Sequence, residues 1–121
     1  MNYPLHLQQF IAEHPTNWET LLTDVPYHLL VKRGDDERIL FKYNQIQSDM
    51  SIPLCREARG VILNEQTLDI VSIAFNKFFN YGELHAATID WSSARIQEKI
   101  DGSIIALYYW KDAWRIKTNG T

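Results

Sequence analysis

The sequence predicts an α+β domain in which short N-terminal helices pack against antiparallel β-hairpins. Apolar residues recur at helical spacing near the N-terminus, and runs of β-branched and aromatic residues separated by short turns occupy most of the remaining chain. At 121 residues and 45% hydrophobic composition, the chain is long enough to form one core. We therefore expect residues 1–121 to form a single domain.

Two helices are expected before the first strand. Apolar side chains at roughly helical spacing predict an amphipathic helix over residues 4–14. A second helix is predicted to begin at a cap at residue 16 or 17, to run through residue 22, and to end near the proline at position 26. The side chains that set the first helical spacing are Leu5, Leu7, Phe10 and Ile11.

Four β-hairpins are predicted from apolar runs that flank turn residues. Their strand pairs are residues 27–32 with 39–43, 59–63 with 68–74, 96–100 with 103–109, and 103–110 with 114–118. In the third hairpin, Asp101 and Gly102 would supply the positive φ angles that a two-residue turn requires. Between hairpins we expect an irregular linker over residues 45–53, a short helix over residues 84–89 and a turn over residues 90–93.

Charge and composition narrow the function classes. The net charge of −3 lies in the first half of the chain, because residues 54–121 carry eight basic and eight acidic side chains. A broad basic face of the kind that dominates nucleic-acid binding is therefore not expected. The sequence shows neither a signal-peptide pattern nor an apolar stretch of membrane-spanning length, so we expect a soluble, cytoplasmic protein without membrane contact.

Cysteine and histidine placement argues against disulfide and metal chemistry. Cys55 is the single cysteine, which rules out an internal disulfide, and we interpret it as a small buried side chain rather than a reactive thiol. No metal site is expected, because metal-ligand spacing is missing among His6, His14, His28 and His85.

Lys99 lies at the mouth of the third predicted turn. From the residues alone, two interpretations remain open. Lys99 is either a solvated surface side chain beside an ordinary hairpin turn or a nucleophile whose Gly-containing turn lets the backbone approach a nucleotide closely.

Two other groups of residues upstream of Lys99 contain side chains suited to binding a nucleotide. Arg59 stands beside Gly60, which suits close approach of a planar guanidinium to phosphate oxygens. The open alternative is a surface ion pair with Glu57 or with a neighbouring strand. Around Lys77, two of four aromatic side chains are expected in the core, and Phe79 is expected to line a nucleotide pocket. The four aromatics are Phe75, Phe78, Phe79 and Tyr81.

These blocks carry a resemblance to a known family. Lys99-Ile100-Asp101-Gly102 resembles the Lys-x-Asp-Gly nucleophile motif of the covalent nucleotidyltransferases, the superfamily of polynucleotide ligases and messenger RNA capping enzymes. The segments EARGVILN (57–64) and FNKFFNYGE (75–83) resemble the Arg-Gly and Lys-Phe-Phe-Asn blocks of ATP-dependent RNA ligases of the phage tRNA-repair type. The three blocks follow the family's order across residues 54–121.

The resemblance implies a partial nucleotidyltransferase domain, similar to an ATP-grasp-like ligase domain. It implies that Lys99 is the catalytic nucleophile, that ATP and Mg²⁺ are required, and that an RNA 5′-phosphate is sealed to a 3′-hydroxyl through a lysyl-AMP intermediate. The nucleotide-binding residues it implies are Arg59, Lys77, Phe79, Glu98, Asp101, Gly102 and Lys117.

The chain also departs from the family pattern. The sugar-binding glutamate strand, the metal carboxylate and the late Lys-x-Lys pair do not follow, and Asn119 stands where the family tends to have a basic residue. We therefore expect an N-terminal part of an adenylyltransferase domain, without metal ligands, that is weak or inactive alone. RNA would be held by a local cationic cluster of Arg56, Arg59, Lys77, Arg115 and Lys117, or by the missing part.

Two alternative functions stay open on the sequence. The chain could be a catalytically inert remnant that binds a nucleotide or a protein partner through the same pocket. It could instead belong to a DNA-ligase or capping-type nucleotidyltransferase, because the Lys-x-Asp-Gly motif serves those reactions too.

Overall fold

The computed structural model describes residues 3–120, and within them it contains three helices and six strands. These are α1 (His6–Glu13), α2 (Trp18–Leu22), β1 (Leu30–Arg33), β2 (Arg38–Lys42), α3 (Pro53–Glu57), β3 (Arg59–Asn64), β4 (Ile70–Ser72), β5 (Ala106–Trp110) and β6 (Ala113–Lys117). The α+β class is confirmed. No helix of the described chain is long and apolar enough to cross a membrane.

Strands β1 to β4 form one antiparallel sheet in chain order, and the helices cover one of its faces. Side chains alternate across a strand, so Ile39 and Phe41 of β2 lie in the core beneath the helices while Leu40 lies on the opposite face. The buried core on the helical face consists of Leu7, Ile11, Leu22, Leu29, Ile39, Phe41, Leu54, Ala58, Val61 and Leu63.

The hairpin formed by β5 and β6 packs on the other face of this sheet. Tyr108 of β5 is buried there against Leu40 and Ile62. The Arg38 guanidinium donates to the Tyr108 hydroxyl at 2.5 Å, and Trp110 Nε1 donates to the Asp36 carbonyl oxygen at 3.2 Å. The fold therefore has three layers: helices, a four-stranded sheet and a two-stranded hairpin.

This hairpin carries both aromatic and charged side chains on its inner face and exposed apolar side chains on its outer face. On the inner face, Lys117 is buried and Arg115 is half-buried. The outer face carries four apolar side chains that are between 54% and 68% exposed. They are Leu107, Tyr109, Trp114 and Ile116, and we call them the outer hairpin face.

A buried carboxylate joins α3 to the start of α1. Glu57 accepts hydrogen bonds from the backbone N–H groups of His6 and Leu7, both at 3.0 Å, and its carboxylate lies 2.9 Å from His6 Nδ1. Two N–H groups at the start of a helix lack partners within the helix, so the carboxylate satisfies them. This use of Glu57 also excludes its predicted alternative role as the ion-pair partner of Arg59.

Gly60 is required by the close approach of another strand, not by open space for a phosphate. Its φ is +81°, and a Cβ placed on it would lie 2.7 Å from the backbone oxygen and 2.8 Å from the Cα of Asn119. The segment that follows β6 therefore packs directly against the start of β3. The interpretation that Gly60 leaves room for phosphate oxygens beside Arg59 is wrong.

Most of the predicted elements are confirmed. The two N-terminal helices, the hairpins β1–β2, β3–β4 and β5–β6, and the turn near residues 90–93 all appear. Helix α3 was not predicted. Residues 45–53 are polar and predict an irregular linker, which ends at the first residue of α3. The single domain over residues 1–121 and the nucleotidyltransferase fold stay predictions.

Two predicted elements are wrong. Residues 84–89 form no helix, and residues 94–105 are irregular instead of forming the third hairpin. Ile96 and Ile100 alternate as strand residues would, but both are exposed, because no core surface lies against them. Asp101 does not adopt a positive φ, and Gly102 has a φ of +141° without a paired turn.

Cys55 is fully buried, as predicted for a structural thiol. Its Sγ lies 3.8 Å from the Tyr27 carbonyl oxygen. Burial raises the pKa of the thiol to about 11, so it stays protonated at neutral pH and is a poor nucleophile.

Candidate functional site

The fold brings the Arg-Gly block and the Lys-Phe-Phe-Asn block side by side. The β3–β4 hairpin carries the chain away from Arg59 and returns it, and the Lys77 backbone N–H then donates to the Arg56 carbonyl oxygen at 2.8 Å. Two segments that lie almost twenty residues apart therefore form one surface.

On this surface, each cation lies over an aromatic ring. The Arg59 guanidinium carbon is 4.9 Å from the Phe78 ring centre, and Lys77 Nζ is 5.2 Å from the Phe79 ring centre. Neither cation forms an ion pair within residues 3–120. The rings orient the two positive charges without neutralising them, which leaves both available to an anion.

A cavity of about 330 Å³ lies beside these pairs, and we call it the Lys77 pocket. Its wall includes Phe79 and His85, whose ring centres are 5.9 Å apart. The pocket therefore combines an aromatic surface, on which a base could stack, with cations that could hold phosphate. The side chains most relevant to a ligand are Arg56, Lys77, Phe78, Phe79, Tyr81 and His85.

The aromatic residues of this segment are not core residues. Phe75, Phe78 and Tyr81 are exposed and Phe79 is half-buried, so the expectation that two of the four lie in the core is wrong. Their density is explained by the walls of the pocket and by the pairing with cations.

Lys117 is a buried cation without a partner. Its side chain is 3% exposed, and its ammonium has no hydrogen-bond partner in the part of the chain that the structure describes. Burial lowers the pKa of this lysine, because removal from water penalises the charged form. An unsatisfied buried polar group is costly, which makes Lys117 a candidate for contact with an anion.

Lys99 lies outside the Lys77 pocket. It is exposed in the irregular segment 94–105 and makes no hydrogen bond or ion pair with any described residue. The other predicted residues of that segment, Glu98, Asp101 and Gly102, are exposed as well. The structure thus brings Arg59, Lys77 and Phe79 together and leaves these four residues apart from them.

The predicted cationic cluster for RNA is only partly assembled. Arg56 and Lys77 line the same pocket, whereas the Arg115 guanidinium pairs with Asp36 at 3.6 Å and donates to the Trp110 carbonyl oxygen at 3.1 Å. Arg115 therefore supports the hairpin, and its charge is already used.

A second, larger cleft of about 660 Å³ lies on the other side of Arg59. We call it the Lys42 cleft, and Lys42, Tyr43, Asn44, Arg59 and Asn119 contribute to its wall. Sequence analysis did not assign Lys42 to a site. The pairing of Lys42 with Arg59 across β2 and β3 would have identified it, had the register of the two strands been known.

No protein cluster suited to a metal ion is found among residues 3–120. None of the groups of His, Cys, Asp and Glu side chains there reaches three members with suitable placement.

Comparison with known proteins places these residues in a family context. A family model described as RNA ligase matches residues 57–121, a range that contains all eight predicted site residues. A relative from Autographa californica nuclear polyhedrosis virus, provisionally named a bifunctional polynucleotide kinase/RNA ligase, is 31% identical over 97 residues. Another from Thermovibrio ammonificans, provisionally named an RNA ligase, is 32% identical over 80 residues.

These similarities cover much of this chain and little of the relatives. The viral match covers 72% of this chain and 14% of the relative, and the Thermovibrio match covers 63% and 20%. No solved structure matches the chain significantly.

Proposed function

Because the chain belongs to the RNA ligase family of the T4 type, we propose that it is the lysine-bearing part of an ATP-dependent RNA ligase. The observation that carries this proposal is a pair of unneutralised cations over aromatic rings: Lys77 lies in the wall of the Lys77 pocket, and Arg59 lies over Phe78, a residue of that wall. The sealing activity of RNA ends is proposed for the whole enzyme to which such a chain corresponds.

In the proposed complex, ATP occupies the Lys77 pocket. The adenine stacks on Phe79, and Arg59 and Lys77 bind phosphate oxygens. Both cations stabilise the transition state more strongly than bound ATP, because negative charge accumulates on the leaving pyrophosphate. Lys117 supplies a further positive charge from the hairpin, where its unpartnered ammonium is already desolvated.

In the proposed chemistry, Lys99 is the nucleophile. Its uncharged amine attacks the α-phosphorus, a nitrogen–phosphorus bond forms, and the bond to the pyrophosphate oxygen breaks, so that pyrophosphate leaves. The nitrogen loses its proton to solvent and a lysyl-AMP remains. An RNA 5′-phosphate then takes the AMP, and a 3′-hydroxyl displaces it to join the ends. No step is derived through Mg²⁺, which stays an expectation.

Lys99 has to approach the pocket before this reaction. Residues 94–105 form no strand and pair with no other strand, so sheet hydrogen bonds do not hold them in their exposed position. Binding of ATP in the pocket would give this segment, with Glu98, Asp101 and Gly102, a surface to pack against.

The test is to incubate the chain with ATP and Mg²⁺ and to measure its intact mass. We expect a fraction of molecules to gain the mass of one AMP, and Lys99→Ala to abolish this gain. Lys111→Ala is the matched control, because Lys111 is an exposed lysine of the β5–β6 turn that pairs with Glu37. An adduct that persists in Lys99→Ala, or that never forms in the wild-type chain, contradicts the transfer step.

A second candidate function is nucleotide binding without transfer. It is favoured by the exposed position of Lys99 and by the missing cluster for a metal ion among the described residues. In that case ATP binds, Lys77→Ala weakens binding, Lys99→Ala does not, and no adduct appears. Adduct formation with GTP instead of ATP, or sealing of nicked DNA but not RNA, would instead indicate a capping-type or DNA-ligase relative.

A further inference from the structure

The Lys42 cleft contains no residue that sequence analysis assigned to a site except Arg59. Its wall carries the cations Lys42 and Arg59 and contains no aspartate or glutamate. Since the chain as a whole has a net charge of −3, a large cleft with positive side chains alone stands out from the rest of the surface. A wall of this kind attracts anions.

The two cations face each other across neighbouring strands. Lys42 of β2 and Arg59 of β3 are directly paired in the antiparallel register, next to an irregularity between Phe41 and Lys42. Like charges in directly opposite positions destabilise a sheet. Neither side chain forms an ion pair within residues 3–120, so no carboxylate of that range relieves the repulsion. A bound anion would relieve it.

A third cation, Lys32 of β1, contacts the segment that follows Asn119 of the cleft wall. Lys32 Nζ donates to the Gly120 carbonyl oxygen at 3.3 Å, and a Cβ placed on Gly120 would lie 3.1 Å from Lys42 Nζ. The backbone at Asn119 and Gly120 therefore lies between the lysines of β1 and β2. Two positive side chains, Lys42 and Arg59, therefore lie in the wall of the cleft, and Lys32 lies outside the wall beside Gly120.

The remaining wall is rich in neutral hydrogen-bonding groups. Tyr43, Asn44 and Asn119 line it, together with glutamines at positions 45 and 47. Amide and hydroxyl groups can bind ribose hydroxyls and base edges without adding charge. The volume of about 660 Å³ lies within the range of clefts that enclose a ligand larger than a single phosphate.

We infer that the Lys42 cleft binds the sugar-phosphate backbone of a single RNA strand, an inference that rests on the proposed RNA ligase function. Lys42 and Arg59 contact successive phosphates, and the amide side chains contact ribose. Arg59 also lies over Phe78, a residue of the Lys77 pocket wall. An RNA end bound in the cleft would therefore approach the adenylylated lysine from the side of Arg59.

The structure favours an RNA strand over the triphosphate of ATP as the occupant. The cleft is twice the volume of the Lys77 pocket, about 660 against about 330 Å³, and its wall contains none of the phenylalanines that line that pocket. A single nucleotide needs one base-stacking surface and a compact group of cations. A strand needs a longer path of positive charge, which Lys42 and Arg59 provide within the cleft and Lys32 extends beside it.

The test measures binding of a short, fluorescently labelled single-stranded RNA with a 5′-phosphate by anisotropy over a series of salt concentrations. We expect Lys42→Gln to weaken binding about fivefold near 0.1 M salt and to reduce the slope of log K against log salt by about 0.7, the value of one phosphate contact on a single strand. Lys42→Arg should restore both values. Lys42→Gln should not unfold the chain, because it removes the like-charge repulsion.

Two controls isolate the cleft. Lys111→Gln removes the same charge at the opposite end of the fold, where Lys111 pairs with Glu37, and should leave RNA binding unchanged. Binding of a fluorescent ATP analogue should be unchanged in Lys42→Gln. The inference is overturned if Lys42→Gln binds RNA like the wild type, if Lys111→Gln weakens RNA binding equally, or if ATP binding weakens as much as RNA binding.

These outcomes are independent of the adenylylation result. Loss of the AMP adduct in the wild-type chain would contradict the transfer step, while the effect of Lys42→Gln on RNA binding would still support the cleft. An adduct that forms normally, with RNA binding unaffected by Lys42→Gln, would contradict the cleft alone.

Discussion

Lys117 shows how a single residue can weaken a fold in a way that points to a ligand. Its ammonium is buried without a hydrogen-bond partner in the described chain, on the inner face of a hairpin whose neighbouring inward groups are satisfied. A cost of this kind is expected at functional positions, where structure is held for binding rather than for stability. The other two cations, Arg59 and Lys77, cost the fold less stability, because each lies over an aromatic ring.

Lys117→Met should make the folded chain more stable by about 1–3 kcal/mol at low and neutral pH, because an unsatisfied buried group is removed. Burial lowers the pKa of Lys117, so the unfolded chain binds more protons than the folded chain between the lowered pKa and the ordinary value of 10.5. Wild-type stability therefore rises with pH through that window, and the advantage of Lys117→Met shrinks there. Urea unfolding at several pH values measures this.

The control for this prediction is Lys111→Met, which replaces an exposed lysine and should show no such pH dependence of its stability difference. If Lys117→Met were less stable than the wild type at pH 7, the ammonium would have a stabilising partner after all. Weaker ATP binding by the stabilised Lys117→Met variant would indicate that Lys117 contacts the ligand and lowers the stability of the free protein.

Single residues also show what the sequence could and could not reveal about the site. Arg59, Lys77 and Phe79 were recognisable because their spacing matches the blocks of the RNA ligases, and the β3–β4 hairpin that joins them was itself predictable. Lys42 and His85 were not recognisable. Their places depend on strand register and on a left-handed backbone at His85, with φ of +73°, and neither is visible in local residue patterns.

At the scale of elements, a predicted hairpin forms only where its strands have a pairing partner and a core surface to pack against. The hairpin of β5 and β6 was predicted correctly. In the structure, Lys111 and Asp112 both adopt the positive φ angles of a tight turn, and the two strands pair in register. The hairpin around Asp101 and Gly102 had an equally good local pattern. It does not form, since residues 96–100 have no sheet surface to bury their isoleucines.

Contact between elements explains Gly60 more fully than its own conformation does. Gly60→Ala should destabilise the chain by more than the roughly 1–3 kcal/mol expected for a residue held at positive φ, because the added Cβ would also meet the Asn119 backbone. Thermal or urea unfolding measures the change. The variant should also disturb the Lys42 cleft, of which Asn119 forms part.

Gly82→Ala provides the matched control. Gly82 has the same φ of +81°, but a Cβ placed on it would meet nothing within 4 Å. It should therefore report the conformational cost alone, and the difference between the two variants gives the cost of the contact between β3 and β6. Equal losses of stability in both would show that this contact is unimportant.

For the whole molecule, the main feature is an uneven distribution of apolar surface. The helical face of the sheet is closed by a conventional core, while the outer hairpin face and much of residues 73–105 present large apolar side chains to solvent. The sequence predicted the apolar strands but could not show which of their faces would be covered. Tyr108 packs inward on Leu40 and Ile62, and side chains alternate along a strand, so Leu107 and its cross-strand partner Ile116 face outward.

Replacing the outward pair with Leu107→Ser and Ile116→Ser together should reduce binding of a fluorescent hydrophobic dye, because the two side chains are cross-strand partners within one apolar patch. Stability should change by no more than about 0.5 kcal/mol per substitution, as is usual for exposed positions. Dye titration and urea unfolding measure the two effects. The pair Leu84→Ser and Ile96→Ser, exposed but not in the patch, is the control and should reduce dye binding less.

The carboxylate of Glu57 gives the leading helix a role that its own sequence does not suggest. Helix α1 lies outside residues 57–121, the range that the family model matches, yet its first two amides donate to a side chain two positions before Arg59. Removal of the leading residues would leave the buried carboxylate of Glu57 without these two hydrogen-bond donors, two positions before Arg59. The leading residues thus hold Glu57 in place beside the site. A variant without them should bind the ligand more weakly at conditions where its sheet is still folded.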